Sequence, residues 1–177
     1  YNDHKIAWYE NDGDENFTLR VIADTTAGTL ESADAAQSVY ALDVDGDGDV
    51  DVLSASEGDH KIAWYDNDGD ENFTLRVIVH DAYAARSVYA LDVDDDGDMD
   101  VLSASHDEDK IAWYENDGDE NFTTHVIVSD TSDTPTGADG ARSVFALDVD
   151  GDGDVDVLSA SHSDDKIAWY ENNGREY

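Results

Sequence analysis

The chain has 177 residues, 40% of them hydrophobic, with four Trp and nine Tyr, which is enough apolar material for a core and too much for disorder. Its 45 acidic residues against 9 basic give a formal charge of -36, which repels phosphate backbones and anionic membrane surfaces and excludes nucleic acid as a partner. Cysteine is absent, so disulfides and thiol chemistry do not enter, and no apolar run approaches the roughly 18 residues of a membrane span.

The chain opens inside a repeat. Lys5-Ile-Ala-Trp-Tyr returns at Lys61, Lys110 and Lys166, at intervals of 56, 49 and 56 residues. A period near fifty lies in the range of propeller blades. The spacing predicts an all-β fold of four-stranded antiparallel blades, about three in number and ragged at both ends. Residues 1–37 read as a third and fourth strand plus a linker, and 38–86 and 87–142 as full blades. Residues 143–177 read as the first three strands of another blade.

Within the first full unit the strands are predicted at 38–42, 50–55, 61–65 and 73–79, rich in Val, Ile, Tyr, Trp and Thr and bounded by turn residues. No segment reads as a helix. On the third strand Ile62 and Trp64 face one way and Ala63 and Tyr65 the other, the pattern of a strand buried on both faces. The repeated tryptophans Trp8, Trp64, Trp113 and Trp169 are therefore expected between blades rather than as sugar-stacking platforms.

Between the first and second strands stands Asp-Val-Asp-Gly-Asp-Gly-Asp-Val-Asp, residues 43–51, with counterparts at 92–100 and 148–156. Alternating aspartates offer a hard cation a cage of oxygens, and calcium is the expected ion. Asp43, Asp45 and Asp47 would give side-chain oxygens, Asp49 its carbonyl and Asp51 a closing carboxylate, with Gly48 permitting the sharp turn. An EF-hand would need Glu at the twelfth loop position, which here is Ser54, Ser103 or Ser159. Such loops fill where calcium is millimolar, so the expected location is secreted, extracellular or at the cell surface.

Between the third and fourth strands lies a second acidic turn, with Asp-Gly at 12–13, 68–69 and 117–118; it reads as a plain hairpin. Asn16, Asn72 and Asn121 each open an Asn-Phe-Thr acceptor pattern, incidental in a bacterial protein and a place for glycans in a secreted eukaryotic one. The inter-blade linkers, 23–37, 79–86 and 128–142, absorb all the length variation. Turn order puts the aspartate loops and Asp-Gly hairpins on one rim and the linkers and His-bearing loops on the other, where recognition is expected. His4, His60, His106 and His162 recur with the repeat, and no catalytic constellation is present.

The aspartate loop continuing into Val-Leu-Ser-Ala-Ser, followed by Lys-Ile-Ala-Trp-Tyr-Glu-Asn, resembles the FG-GAP-like or VCBS repeats of secreted proteins, and its hairpins are similar to those of the integrin alpha-chain propeller. The resemblance implies a propeller with calcium between the first and second blade strands. By match it implies the ligands Asp43, Asp45, Asp47, Asp49 and Asp51. The second site would use Asp92, Asp94, Asp96, Asp98 and Asp100, and the third Asp148, Asp150, Asp152, Asp154 and Asp156. In each set the fourth residue acts through its carbonyl.

The expected role is a non-catalytic scaffold or recognition module for an extracellular protein or glycan. Two alternatives are a subunit that self-assembles through its unfinished ends, and an accessory propeller of a polysaccharide-active enzyme. Other copies, or further blades of a longer chain, are the expected neighbours of those ends.

Overall fold

The computed structural model describes residues 4–24, 33–129 and 137–174. Residues 1–3, 25–32 and 130–136 (with Pro135) and the last three residues lie outside that range. The described residues form strands and no helix, in sheets of two, four, four and three strands. The first sheet is β1 (Ile6–Asn11) and β2 (Phe17–Ala23). The second is β3 (Ala36–Leu42), β4 (Asp51–Ser56), β5 (Lys61–Asn67) and β6 (Phe73–Val79), in that order. The third repeats it with β7 (Ala85–Leu91), β8 (Asp100–Ser105), β9 (Lys110–Asn116) and β10 (Phe122–Val128). The fourth holds β11 (Ala141–Leu147), β12 (Asp156–Ser161) and β13 (Lys166–Tyr170). All neighbours are antiparallel, and the sheets are blades of a partial β-propeller.

Each blade closes onto the next through apolar side chains on both faces. Ile62 and Trp64 join Leu53 and Ala55 in a core shared with Val88, Ala90 and Tyr114 of the third blade. Ala63 and Tyr65, on the opposite face, pack with Ile6 and Ala23 of the first. Leu102, Ala104 and Ile111 meet Val144, Ala146 and Val157 of the fourth. The second strand of each blade, Asp-Val-Leu-Ser-Ala-Ser, is the most enclosed, and its small Ser and Ala residues let neighbouring sheets approach closely. In the third blade Ser103 Oγ and Tyr114 Oη lie 3.0 Å apart, so a polar pair is satisfied inside the core.

The first strands of successive blades lie side by side. Val88 donates its N–H to Ser38 Oγ at 3.4 Å and Val144 to Ser87 Oγ at 3.3 Å. Tyr40, Tyr89 and Phe145 form an aromatic ladder along them, with centroids 4.9 and 4.6 Å apart.

The linkers, variable in length, end in one recurring device. A fully buried alanine (Ala33, Ala82 or Ala138) precedes a residue with positive φ (Ala35 at 51°, Ala84 at 53°, Gly140 at 66°). The N–H of that residue is held by the loop of the preceding blade: Ala35 by His4 Nδ1 and Ala84 by His60 Nδ1, both 3.1 Å, and Gly140 by Asp109 Oδ1 at 2.7 Å. These bonds latch each blade to the next on the rim away from the aspartate loops. They give His4 and His60 a structural role.

Candidate metal centre

Each aspartate loop turns a first strand into a second and is shaped by its own carboxylates. In the first loop Asp43 accepts the N–H of Gly46 on Oδ1 (2.8 Å) and of Gly48 on Oδ2 (3.0 Å). Asp45 accepts from Asp47 at 3.3 Å, and Asp47 from Asp49 at 2.9 Å. Gly48 has φ 101°, which only glycine adopts readily, and Gly97 and Gly153 share it at 102° and 104°.

Carboxylate oxygens converge at three places, each group lying within 4.8 Å: Asp43, Asp45 and Asp51; Asp92, Asp94 and Asp96; Asp148, Asp150 and Asp156. Oxygens around a cation at the usual calcium distance of about 2.4 Å can be no further apart than that. The donor set is all oxygen, which suits a hard divalent cation. In the second loop Asp92 Oδ1 is buried without a hydrogen-bond partner, an orphaned acceptor that a cation would satisfy. The residues therefore fit a divalent ion, which would neutralise the converging carboxylates.

The expected ligands do not all stand alike. Asp47, Asp100 and Asp152 fall outside those convergent groups. Asp49, Asp98 and Asp154 turn their side chains onto the neighbouring hairpin glycines, and a Cβ added at Gly69 or Gly118 would meet the carboxylate at 2.5 Å, at Gly174 at 2.6 Å. Loop and hairpin thus adjoin on one rim, and any ligation by these three residues would use the carbonyl.

Asp51, Asp100 and Asp156 are fully buried and tie three elements together. Asp51 accepts the N–H of Val44 on Oδ2 (3.0 Å) and of Asn67, at the end of β5, on Oδ1 (2.8 Å). Asp100 does the same with Val93 and Asn116, and Asp156 with Val149 and Asn172. The Trp64 indole N–H faces Asp51 closely enough to favour its ionised form, yet misses full hydrogen-bond geometry. Burial pushes the Asp100 carboxyl up to about 6, against the pull of the Asn116 and Val93 N–H groups. Burial also raises Asp45, Asp94 and Asp150, helped by neighbouring carboxylates. Asp156 is buried too, but the N–H groups of Asn172 and Val149 outweigh that and leave it below the usual range.

The second acidic turn has its own explanation. Asn72 Nδ2 donates to both oxygens of Asp68, at 3.2 and 3.0 Å, and Asn121 repeats this with Asp117. Asn16 donates to Asp12 at 2.8 Å. The recurring asparagines thus close the hairpins, and these bonds hold the three aspartates below the usual carboxylate range. Arg86 pairs with Glu57 at 2.7 Å.

Sequence reasoning missed the linker latch, although Ala-Asp-Ala-Ala at 33–36, Ala-Tyr-Ala-Ala at 82–85 and Ala-Asp-Gly-Ala at 138–141 carry its signal. It also placed all four tryptophans between blades. Trp64 is buried there and Trp113, half-buried, packs against the core between the third and fourth blades, whereas Trp169 is 46% exposed.

Comparison with curated protein sequences gives no match. Among solved structures the chain is similar to an Agrocybe aegerita lectin, described for specific recognition of non-reducing terminal N-acetylglucosamine, at 20% identity and a TM-score of 0.57. The likeness covers 97% of this chain and 48% of that one, so this chain spans about half that protein's length, and the likeness bears on fold alone. A family model described as FG-GAP-like repeat matches residues 1–54, 43–103 and 92–159. Matched along most of its length and built as repeated blades with an aspartate loop between first and second strands, the chain belongs to the FG-GAP-like repeat family.

Proposed function

We propose that the chain is a calcium-stabilised, non-catalytic recognition module that works outside the cell or at its surface. The observation that carries this reading is the convergence of three carboxylates in each of three loops at equivalent places in the repeat. Calcium would be held by oxygens from Asp43, Asp45 and Asp51, from Asp92, Asp94 and Asp96, and from Asp148, Asp150 and Asp156, with Asp47, Asp100 and Asp152 near enough in sequence to join. Millimolar extracellular calcium suits such loops. The lectin of similar fold supports a glycan as one ligand class.

Because an ion that binds only the folded chain adds its binding free energy to stability, chelation is expected to lower the melting temperature sharply. Calorimetric titration should find three sites. An unchanged melt in chelator and no calcium heat would sink the reading.

A second reading, assembly of copies end to end, is favoured by the outer faces. Val39 is 57% exposed where Val88 and Val144 are 4% exposed in the interior interfaces. Ile167 is 79% exposed where Ile62 and Ile111 are fully buried.

A further inference from the structure

The linker latches are built alike but from different side chains. Each is gripped twice: the blade that the linker enters donates N–H groups to its carbonyls, and the blade that it leaves accepts an N–H from it. In the second linker Ala84 O accepts from His106 N at 3.1 Å and Tyr83 O from Asp107 N at 3.3 Å, both on the third blade. On the side of the second blade, the buried Ala84 donates its N–H to His60 Nδ1 at 3.1 Å, and Ala82 donates to the His60 carbonyl at 3.0 Å. The third linker repeats this, with Gly140 O and Asp139 O accepting from His162 and Ser163 at 3.1 and 3.0 Å and Gly140 N–H held by Asp109.

A backbone N–H can donate to Nδ1 only where that nitrogen carries a lone pair, so the bond to Ala84 fixes His60 as the neutral tautomer with its proton on Nε2. An imidazolium carries a hydrogen on both nitrogens. Donor would then face donor, and the buried Ala84 N–H would lose its acceptor. The surroundings offer the protonated ring no new partner. Tyr83 stacks on it with centroids 4.9 Å apart, and among the described residues no carboxylate bonds it. The charged groups of the elements packed around it are engaged elsewhere. On its own loop Asp59 pairs with Lys61 at 3.0 Å and Glu57 with Arg86 at 2.7 Å. On the third blade Glu108 pairs with Lys110 and accepts the Tyr83 N–H, and His106 pairs with Asp107. In the linker, His80 and Asp81 are exposed. The other two latches meet acid differently. His4 Nδ1 lies 2.5 Å from Asp34 Oδ1, so a protonated ring there keeps a partner in the same linker, at the position Tyr83 takes in the second. The third latch uses a carboxylate, which goes on accepting through the range where histidine titrates.

We propose that His60 is an acid-sensitive latch: on taking up a proton it releases Ala84 and loosens the linker at 80–84 from the second blade, while the linkers on either side stay held. Histidine ordinarily takes up its proton near pH 6.5, so the latch is closed above that range and opens as pH falls through it. Ala84 sits at φ 53°, a left-handed conformation that alanine keeps only under constraint, and release lets it relax. The freed segment carries Tyr83, 49% exposed, on the rim of linkers and His-bearing loops, so opening remodels the surface there. The device goes beyond the recognition reading and does not depend on the aspartate loops, which lie on the other rim.

The test is amide hydrogen exchange by NMR in saturating calcium between about pH 7.5 and 5, each rate taken relative to that of an unstructured chain at the same pH. The Ala84 N–H is expected to lose about tenfold in protection across that range while Gly140 keeps its own. Nitrogen shifts of the His60 ring should show the Nε2–H tautomer at the upper end. His60→Asp, which installs the acceptor used by the third latch, should hold the Ala84 protection constant down to the lower end. His60→Ala should lower it at every pH. Ala84 protection that does not change with pH in the wild-type chain, or that falls equally in His60→Asp, would overturn the proposal. So would the Nδ1–H tautomer at the upper end, or a parallel loss at Gly140, which would mark general loosening in acid instead of one latch.

Discussion

At the scale of single residues, repetition provides internal controls. Gly69 and Gly13 occupy the same hairpin position at φ 80° and 84°, but a Cβ at Gly69 meets Asp49 whereas one at Gly13 meets nothing within 4 Å. Gly13→Ala is therefore expected to cost about 1 kcal/mol, the strain of a left-handed alanine alone. Gly69→Ala should cost more and also weaken cation binding in the adjacent loop, measured by denaturant melts and calcium titration; equal losses would deny the loop-to-hairpin contact. Tyr114 gives a pH test. Burial raises its hydroxyl from 10.0 to about 12, so its contribution is complete below pH 10 and is lost as pH rises through about 12, because the unfolded chain ionises first. Stability should fall between pH 10 and 12, and Tyr114→Phe should flatten that slope while costing about 1 kcal/mol at neutral pH through the orphaned Ser103 hydroxyl.

At the scale of elements, each aspartate loop contains two kinds of carboxylate. Asp51 anchors the loop and the end of β5 to the start of β4 through two backbone N–H groups. Asp45 points to the convergent group and accepts one weak bond at 3.3 Å. Asp51→Ala is expected to cost about 2–4 kcal/mol even in chelator, because two N–H groups lose their partner. Asp45→Ala should leave the chelated protein unchanged or slightly more stable, since repulsion is relieved, and remove one calcium site from the titration. If both substitutions behave alike in chelator, the division of roles is wrong. The acidic hairpins were legible as plain turns from their Asp-Gly pairs, and the Asn-to-Asp bonds supply the reason their Asn recurs.

At the scale of the whole molecule, every blade interface uses the same positions, so the outer faces present what the inner faces bury. Val39 and Tyr9 at one end and Ile167 and Trp169 at the other are exposed apolar side chains of this kind. The first blade supplies third and fourth strands, β1 and β2, and the last supplies first to third, β11 to β13. If copies join end to end, mass measurement of the 177-residue chain should show concentration-dependent dimers or longer species, and Ile167→Asp should abolish them. A strict monomer at high micromolar concentration would rule assembly out.

The amino-acid sequence determined the blades by itself, because a period near fifty, strands apolar on both faces and turn residues at each boundary are local signals that agree with one another. It likewise determined the aspartate loops, whose alternating carboxylates lie within nine residues. What only the tertiary structure decided depends on side chains brought together from different blades. Asp51 is as much a backbone anchor as a candidate ligand, because Asn67 arrives from another strand. The linkers, read as variable, end in a fixed latch because His60 lies across the interface from Ala84. The change from Arg76 to His125 is one letter in the repeat. In the structure it exchanges a guanidinium that bridges Trp64, Asp66 and Glu120 of the next blade for an imidazole stacked on Trp113 and paired with Glu115.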